Sequence, residues 1–437
     1  MNKFDVVVVG GGIAALELSD RDARIALVTG GNYVKRIKNI EILSSGLVEY
    51  DLEECLVQEA PFAKANDRNN KTGQKSNEAE LKVFGERAIA INKENKIVRL
   101  ASGNDLFYRK LVLCTGAVPR KVPSLTSPEL VLSLRDTESA LLLERKLQNS
   151  KKIAIFGDGG IALELVHNLK HVEIVWCSRE KSFGQKFLDP VAMEFLLESA
   201  EQKNDEKKPK VETKNCSYHE YTVPNVIGAE VCQSAALGPS WYKHKGLKLA
   251  GTSNESERKI TYHSGVELRD VVKTESNAAQ VILANGNKFV VDFVVLAIGV
   301  QAQTELVDGI LELSPADRGI LVDSNMRSIS DPCIYAAGDC CTTHNWPSDE
   351  IPNWFQMRLW TQAIQMGKYA ARCLVSHLDE QEALLDFCFT TFTHCTSFFG
   401  FRTALLGLYN AQTLPQRQVE IIFRENGFEN KTTPKRK

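Results

Sequence analysis

No pair of cysteines in this 437-residue chain has Cys-x-x-Cys spacing, although there are eleven cysteines. The number is odd and the positions follow no framework. That excludes a disulfide-built scaffold and reads as reduced thiols of a cytoplasmic or nuclear protein. Cys340 and Cys341 are neighbours, and a vicinal disulfide there would be strained. No apolar run approaches the ~20 residues that a spanning helix needs, so no membrane association is expected. Neither sign of charge dominates: 53 basic residues face 55 acidic ones. That balance argues against nucleic acid as a direct partner. One lysine precedes the first apolar run, so no leader peptide is expected. What remains is 43% hydrophobic and 25% charged, enough chain for two or three domains with real cores.

The first such run, Phe4–Val9, ends in Gly10-Gly11-Gly12-Ile13-Ala14-Ala15. This is G-x-G-x-x-A directly after a strand, a turn that lets a dinucleotide pyrophosphate approach the backbone. Gly10 permits the turn, Gly12 leaves room for phosphate oxygens, and Ala15 keeps the next helix close. That helix is short, and the second strand, Arg24–Thr29, ends in Thr29 where an acid usually grips the ribose. Residues 30–52 read as a loop and then a helix, with Lys35 near its start. Residues 63–80 read as an exposed polar insertion. A later strand closes on Cys114-Thr115-Gly116-Ala117-Val118-Pro119-Arg120.

A second fingerprint follows the strand Lys152–Phe156: Gly157-Asp158-Gly159-Gly160-Ile161-Ala162. Its next strand ends near Cys177-Ser178-Arg179-Glu180, at the spacing of an intact unit. Residues 201–214 are a charge run, a solvated loop. Two more buried strands end in glycine, at Gly299 and at Gly338-Asp339. A long helix is expected over 354–371. Two dinucleotide sites in one chain suggest that electrons pass between them.

These five segments, taken together and in this order, resemble the FAD-dependent pyridine nucleotide-disulfide oxidoreductases. The resemblance implies an α/β fold of two Rossmann-like, three-layer domains. Residues 1–120 and 296–380 would bind FAD. Residues 121–295, with a polar insertion over 201–265, would bind NAD(P)H. Residues 381–437 would be a truncated α+β C-terminal interface domain, since family members continue past Phe423. Gly10, Gly12 and Ala15 would hold the FAD pyrophosphate, with Thr29 at the ribose. Thr115, Gly116 and Gly299 would lie toward the flavin, and Gly338 and Asp339 at the ribityl chain or pyrophosphate. Gly157, Gly159 and Ala162 would hold NAD(P)H. Glu164 would face the nicotinamide, and Ser178 with Arg179 would read the 2′ position, with a slight lean to NADPH.

Hydride transfer leaves an anionic reduced flavin, so positive charge near its pyrimidine edge should stabilise it, and Lys35 or the start of the 354–371 helix could supply that charge. The family's redox pair is missing: residues 30–54 hold no cysteine, and acidic Glu53-Glu54 would blunt Cys55. The expected activity is therefore an FAD oxidoreductase without a redox disulfide, passing electrons to an acceptor that the residues do not name. The resemblance further implies redox protection of a protein partner such as the tRNA ligase complex. A catalytically weak NAD(P)H-sensing binding protein is the alternative. A membrane-associated quinone reductase ranks behind both, for want of a basic amphipathic helix.

Overall fold

The computed structural model of the chain describes residues 2–12, 23–31, 33–44, 47–56, 80–202, 241, 247–253, 259–345, 353–383, 389, 391–399, 401–411 and 414–415. In chain order it opens with β1 (Asn2–Val9), β2 (Arg24–Val28), the pair β3 (Tyr33–Ser44) and β4 (Leu47–Leu56), and β5 (Glu80–Phe84). The hairpin of β6 (Ala88–Asn92) and β7 (Ile97–Leu100) leads into β8 (Asp105–Leu113) and the short β9 (Ala117–Pro119). Then come β10 (Val131–Ser133), α1 (Thr137–Leu147), β11 (Lys152–Phe156), α2 (Gly160–Asn168), β12 (Glu173–Cys177) and α3 (Pro190–Gln202). After β13 (Ile260–His263), a meander of β14 (Leu268–Lys273), β15 (Ala279–Leu283) and β16 (Lys288–Val291) precedes β17 (Phe293–Leu296) and β18 (Val300–Ala302). The chain then runs through β19 (Ile320–Val322), β20 (Arg327–Ser328), β21 (Asp331–Ala336), β22 (Cys341–Thr343) and α4 (Trp360–Leu378), and ends in the hairpin of β23 (Thr393–Phe398) and β24 (Phe401–Leu406).

The two parallel sheets are copies of one plan. The first runs β21-β8-β1-β2-β5 through its parallel part, and the second runs β10-β17-β11-β12-β13. Strand for strand, β1 matches β11, β2 matches β12 and β8 matches β17. The order follows from composition: Val6–Val9 and Ile153–Phe156 are buried along their whole length, as a strand covered on both faces must be. The first sheet is discontinuous in sequence, with the second inserted between β8 and β19. The crossing points are tied together where β9 pairs with β18, Pro119 opposite Val300.

Three layers build the second unit. One face of its sheet packs Ile153, Ile155, Ile174 and Trp176 against Leu143 and Leu147 of α1 and Leu163 and Val166 of α2. The other face packs Ala154, Val175 and Val294 against Val271, Val281 and Leu283 of the meander. In the first unit, α4 presses Tyr369, Ala370, Cys373 and Leu374 into the core of β1, β8 and β21. The C-terminal hairpin packs on the second unit, where Phe392, Phe398, Phe399 and Leu405 join the core of α1 and α2. Each such side chain contributes about 2 kcal/mol by leaving water.

Two expectations are corrected, and one is met. Residues 33–56 form a β-hairpin, not a loop and helix, with Lys35 opposite Glu54. Val34, Ile37 and Ile40 have helical spacing, but their β-branched side chains and a partner strand favour extension. The long helix begins at Trp360 instead of 354 and ends at Leu378. Its start is delayed because the Gln362 side chain accepts from Met357 N at 2.6 Å and donates to Phe355 O at 2.7 Å, holding 354–359 extended. Cys340 and Cys341 are free thiols, each turned to a backbone carbonyl. The C-terminal tail after 415 and the polar segments 57–79 and 203–240 lie outside the described residues. Among the described residues, no helix is long and apolar enough to cross a membrane.

Candidate functional site

Both Gly-rich turns are built the same way. Gly10 N donates to Val28 O at 2.8 Å, and Gly157 N donates to Cys177 O at 2.9 Å. Gly10 has φ +119 and Gly157 φ +117. A Cβ on Gly10 would lie 2.1 Å from Cys114 O, and one on Gly157 would lie 2.1 Å from Ala297 O. Only glycine fits either position, because the chain just past β8 or β17 passes directly beneath. Each turn is thus pressed against its sheet. Among the described residues, a Cβ on Gly12 would meet nothing nearer than Cys114 O at 3.9 Å. Gly159 caps α2, whose first N–H groups have no side-chain partner at the cap and are available to an anion. Ala162 is fully buried in the helix–sheet contact. Ala15 lies outside the described residues.

At the first turn, Thr29 is buried and turned inward. Its Oγ1 accepts from Gly31 N at 3.4 Å and would lie 2.5 Å from a Gly11 Cβ. Val34 of β3 packs on the same glycine, 3.3 Å from that Cβ position. The hairpin therefore passes beside this turn, with Lys35 next in sequence; the Lys35 side chain lies outside the described residues.

Three strand ends converge beyond Gly10. Thr115 Oγ1 donates to Gln303 O at 2.7 Å, and Gly116 takes φ +72. Gly299 and Gly338 also have positive φ, +94 and +79. Asp339 is 8% exposed. Arg135, just past β10, reaches across to it, Nη1 to Oδ2 at 3.7 Å, and its Nη2 would be 2.8 Å from a Gly116 Cβ. Burial lowers the Arg135 pKa, while Asp339 and Asp136 oppose that shift. Behind Asp339, Arg358 donates from Nε to its carbonyl at 2.8 Å and from Nη2 to Asp317 Oδ2 at 2.8 Å. Arg358 and Asp317 are both buried, 0% and 6% exposed at the side chain. The pair anchors the Asp339 turn to the start of α4.

At the second turn, Glu164 accepts from Trp241 Nε1 at 2.8 Å. Burial pushes its carboxyl up to about 7, and the Trp241 hydrogen bond draws it partly back. Ser178 is 1% exposed, and its Oγ accepts from Glu180 N at 3.0 Å. Arg179 is exposed and pairs with Glu180 at 3.6 Å, leaving its guanidinium at the surface beside the strand tip.

Arg135, Arg358, Asp317 and Trp241 escaped sequence reading. Arg358 pairs with a carboxylate 41 residues away, and nothing local in QMRLW announces that. Arg135 had one signal: it stands before Asp136, the N-cap of α1. Its reach into the other unit is a tertiary fact. The thiols described at the strand ends offer no nucleophile. Burial raises Cys114 and Cys341 well above the ordinary thiol value and raises Cys340 too. Among the described residues, no group of three His, Cys, Asp or Glu could hold a metal ion.

Comparison with known proteins matches these features. The pyridine nucleotide-disulphide oxidoreductase family model matches residues 4–216 and 252–367. The chain is 34% identical over 439 residues to pyridine nucleotide-disulfide oxidoreductase domain-containing protein 1 of Drosophila melanogaster, covering 97% of this chain and 86% of that one. It is 34% identical over 445 residues to the protein of the same description from Homo sapiens, covering 93% and 83%. Among solved structures, it is similar to a putidaredoxin reductase–putidaredoxin complex, with TM-score 0.59, 17% identity and coverage of 92% and 81%. A NAD-dependent persulfide reductase from A. fulgidus gives TM-score 0.60, 21% identity and coverage of 92% and 64%. Reductases of this kind bind FAD and use NAD(P)H.

Proposed function

Because the chain belongs to the pyridine nucleotide-disulphide oxidoreductase family, we propose that it is an NAD(P)H-dependent FAD oxidoreductase that works without a redox-active disulfide. One observation carries the reading: two glycine turns of matching build, one seated on the end of β8 and the other on the end of β17, each in its own parallel sheet, with Asp339 beside the first. FAD, when bound, supplies acceptance of a hydride from the nicotinamide and its release as electrons. Gly10 and Gly12 admit the FAD pyrophosphate. Asp339, fixed by Arg358 through its carbonyl, accepts from a cofactor hydroxyl. Gly157, Gly159 and the N–H groups of α2 hold the NAD(P)H phosphates. Glu164 orients the nicotinamide end, and Trp241 keeps water from it. Ser178 and Arg179 favour NADPH without excluding NADH.

Support for a non-disulfide route comes from the thiols. Cys114, Cys340 and Cys341 are buried and made less acidic, the reverse of a nucleophile's requirement. Electrons then leave for an external acceptor. The residues do not name that acceptor; a protein partner is kept under redox protection, for which the family likeness suggests the tRNA ligase complex, in the cytoplasm and nucleus. Purified protein should be yellow and bleach anaerobically with NADPH. A colourless protein that takes up no added FAD overturns the reading. Tight nucleotide binding with a flavin that never bleaches would identify a sensor instead.

A further inference from the structure

Asp158 stands between Gly157 and Gly159, where the second turn passes from β11 into α2. Its counterpart in the first turn is Gly11, which has no side chain. Asp158 is 5% exposed, and its Oδ2 has no hydrogen-bond partner among the described residues. A buried carboxylate oxygen left idle is costly, and native structures keep few of them. The charged groups that face it are Lys186 and Arg179, which favour ionisation, and Glu180, which opposes it. Burial outweighs the cations and pushes the carboxyl up to about 6.

We propose that Asp158 makes dinucleotide binding at the second turn proton-linked: its neutral carboxyl donates to a phosphate oxygen, whereas its carboxylate competes with that phosphate for the positive end of α2. The inference rests on reading this turn as the NAD(P)H site. Two anions cannot share one helix end at full strength. Protonation removes one of them and turns the idle oxygen into a donor. The sign follows by linkage. A bound phosphate raises the Asp158 pKa further, so binding is strongest below the free value and weakens as pH rises through it. Near neutral pH binding then takes up a fraction of a proton. The first turn, with Gly11 in this place, carries no such dependence.

The probe is ADP-ribose, which has the pyrophosphate but no nicotinamide and so leaves Glu164 out of the measurement. Titrated calorimetrically into the FAD-loaded protein between pH 5.5 and 8, it should bind the natural chain roughly tenfold more weakly at the upper end. Asp158→Asn keeps the shape and loses the charge. Its affinity should change by less than about twofold over the same range, and exceed that of the natural chain at pH 8. Asp158→Ser should flatten the profile in the same way. Runs in buffers of different ionisation enthalpy should show proton uptake in the natural chain only. An Asn variant as pH-dependent as the natural chain overturns the proposal. ADP-ribose that binds neither protein at any pH overturns the nucleotide-site reading along with it.

Discussion

Gly10 and Gly157 are the least replaceable residues here, and their replacement separates the two sites. A Cβ at either place would lie 2.1 Å from a strand-end carbonyl. The positive φ alone would cost roughly 1–3 kcal/mol for alanine. Gly10→Ala is expected to give a colourless protein, and Gly157→Ala a yellow one that no longer bleaches with NADPH; absorbance spectra check both. Arg358 is a different kind of dependence. Arg358→Met leaves Asp317 buried without its cation, and the expected loss is about 3–5 kcal/mol, read by urea unfolding. Burial works to raise Asp317's pKa, but Arg358 and Gly319 N–H prevail and hold it below its ordinary value. Its stabilisation is therefore complete above the unfolded-state pKa and is lost as pH falls toward the lower folded value. The Met variant should show a flatter acid limb in stability against pH. Trp241→Phe removes a donor to Glu164. In an Asp158→Asn background it should move the pH midpoint of NADPH binding above about 7.

Helix α1 begins in a capping box in which Asp136 accepts from Ser139 N, and the Ser139 side chain answers Asp136 N. Asp136→Ala should cost about 1 kcal/mol in urea unfolding. It should also loosen Arg135, the next residue back. The segment just past β24 pins the loop that follows β12: Tyr409 Oη donates to Lys186 O at 2.8 Å, and Asn410 Nδ2 donates to Gln185 O at 3.0 Å. Phe398→Ala should weaken NADPH binding and leave FAD in place, measured by parallel titrations. The strand-and-glycine units were legible because a buried strand and a special backbone angle both leave marks in neighbouring residues. Val6–Gly10 and Ile153–Gly157 show this. The β3–β4 pair was hidden because Val34, Ile37 and Ile40 satisfy helical spacing as well. The true start of α4 was hidden because Gln362 and Arg358 find their partners off the helix. Arg135 was hidden for a related reason: a charged residue before an N-cap says nothing about the carboxylate it meets in another unit.

The molecule repeats one strand order twice, and that repeat explains why both sites were visible in sequence while their junction was not. Contacts between the units run through Arg135 with Asp339 and through β9 with β18, which are far apart in the chain. The insertion of one sheet within the other has a consequence for synthesis. Strands β10 to β17 leave the ribosome as a continuous set and can pair at once. By then β1, β2 and β8 have long been made, but the Leu111–Leu113 end of the β8 edge stays open until Asp331–Ala336 arrives. Helix α4 covers that sheet later still, and the Phe392–Leu405 hairpin closes the inner unit last. A stop codon placed after β22 would therefore damage the parts translated first: it strips the cover from the first sheet, begun at Asn2, and the aromatic seal from a second sheet otherwise complete.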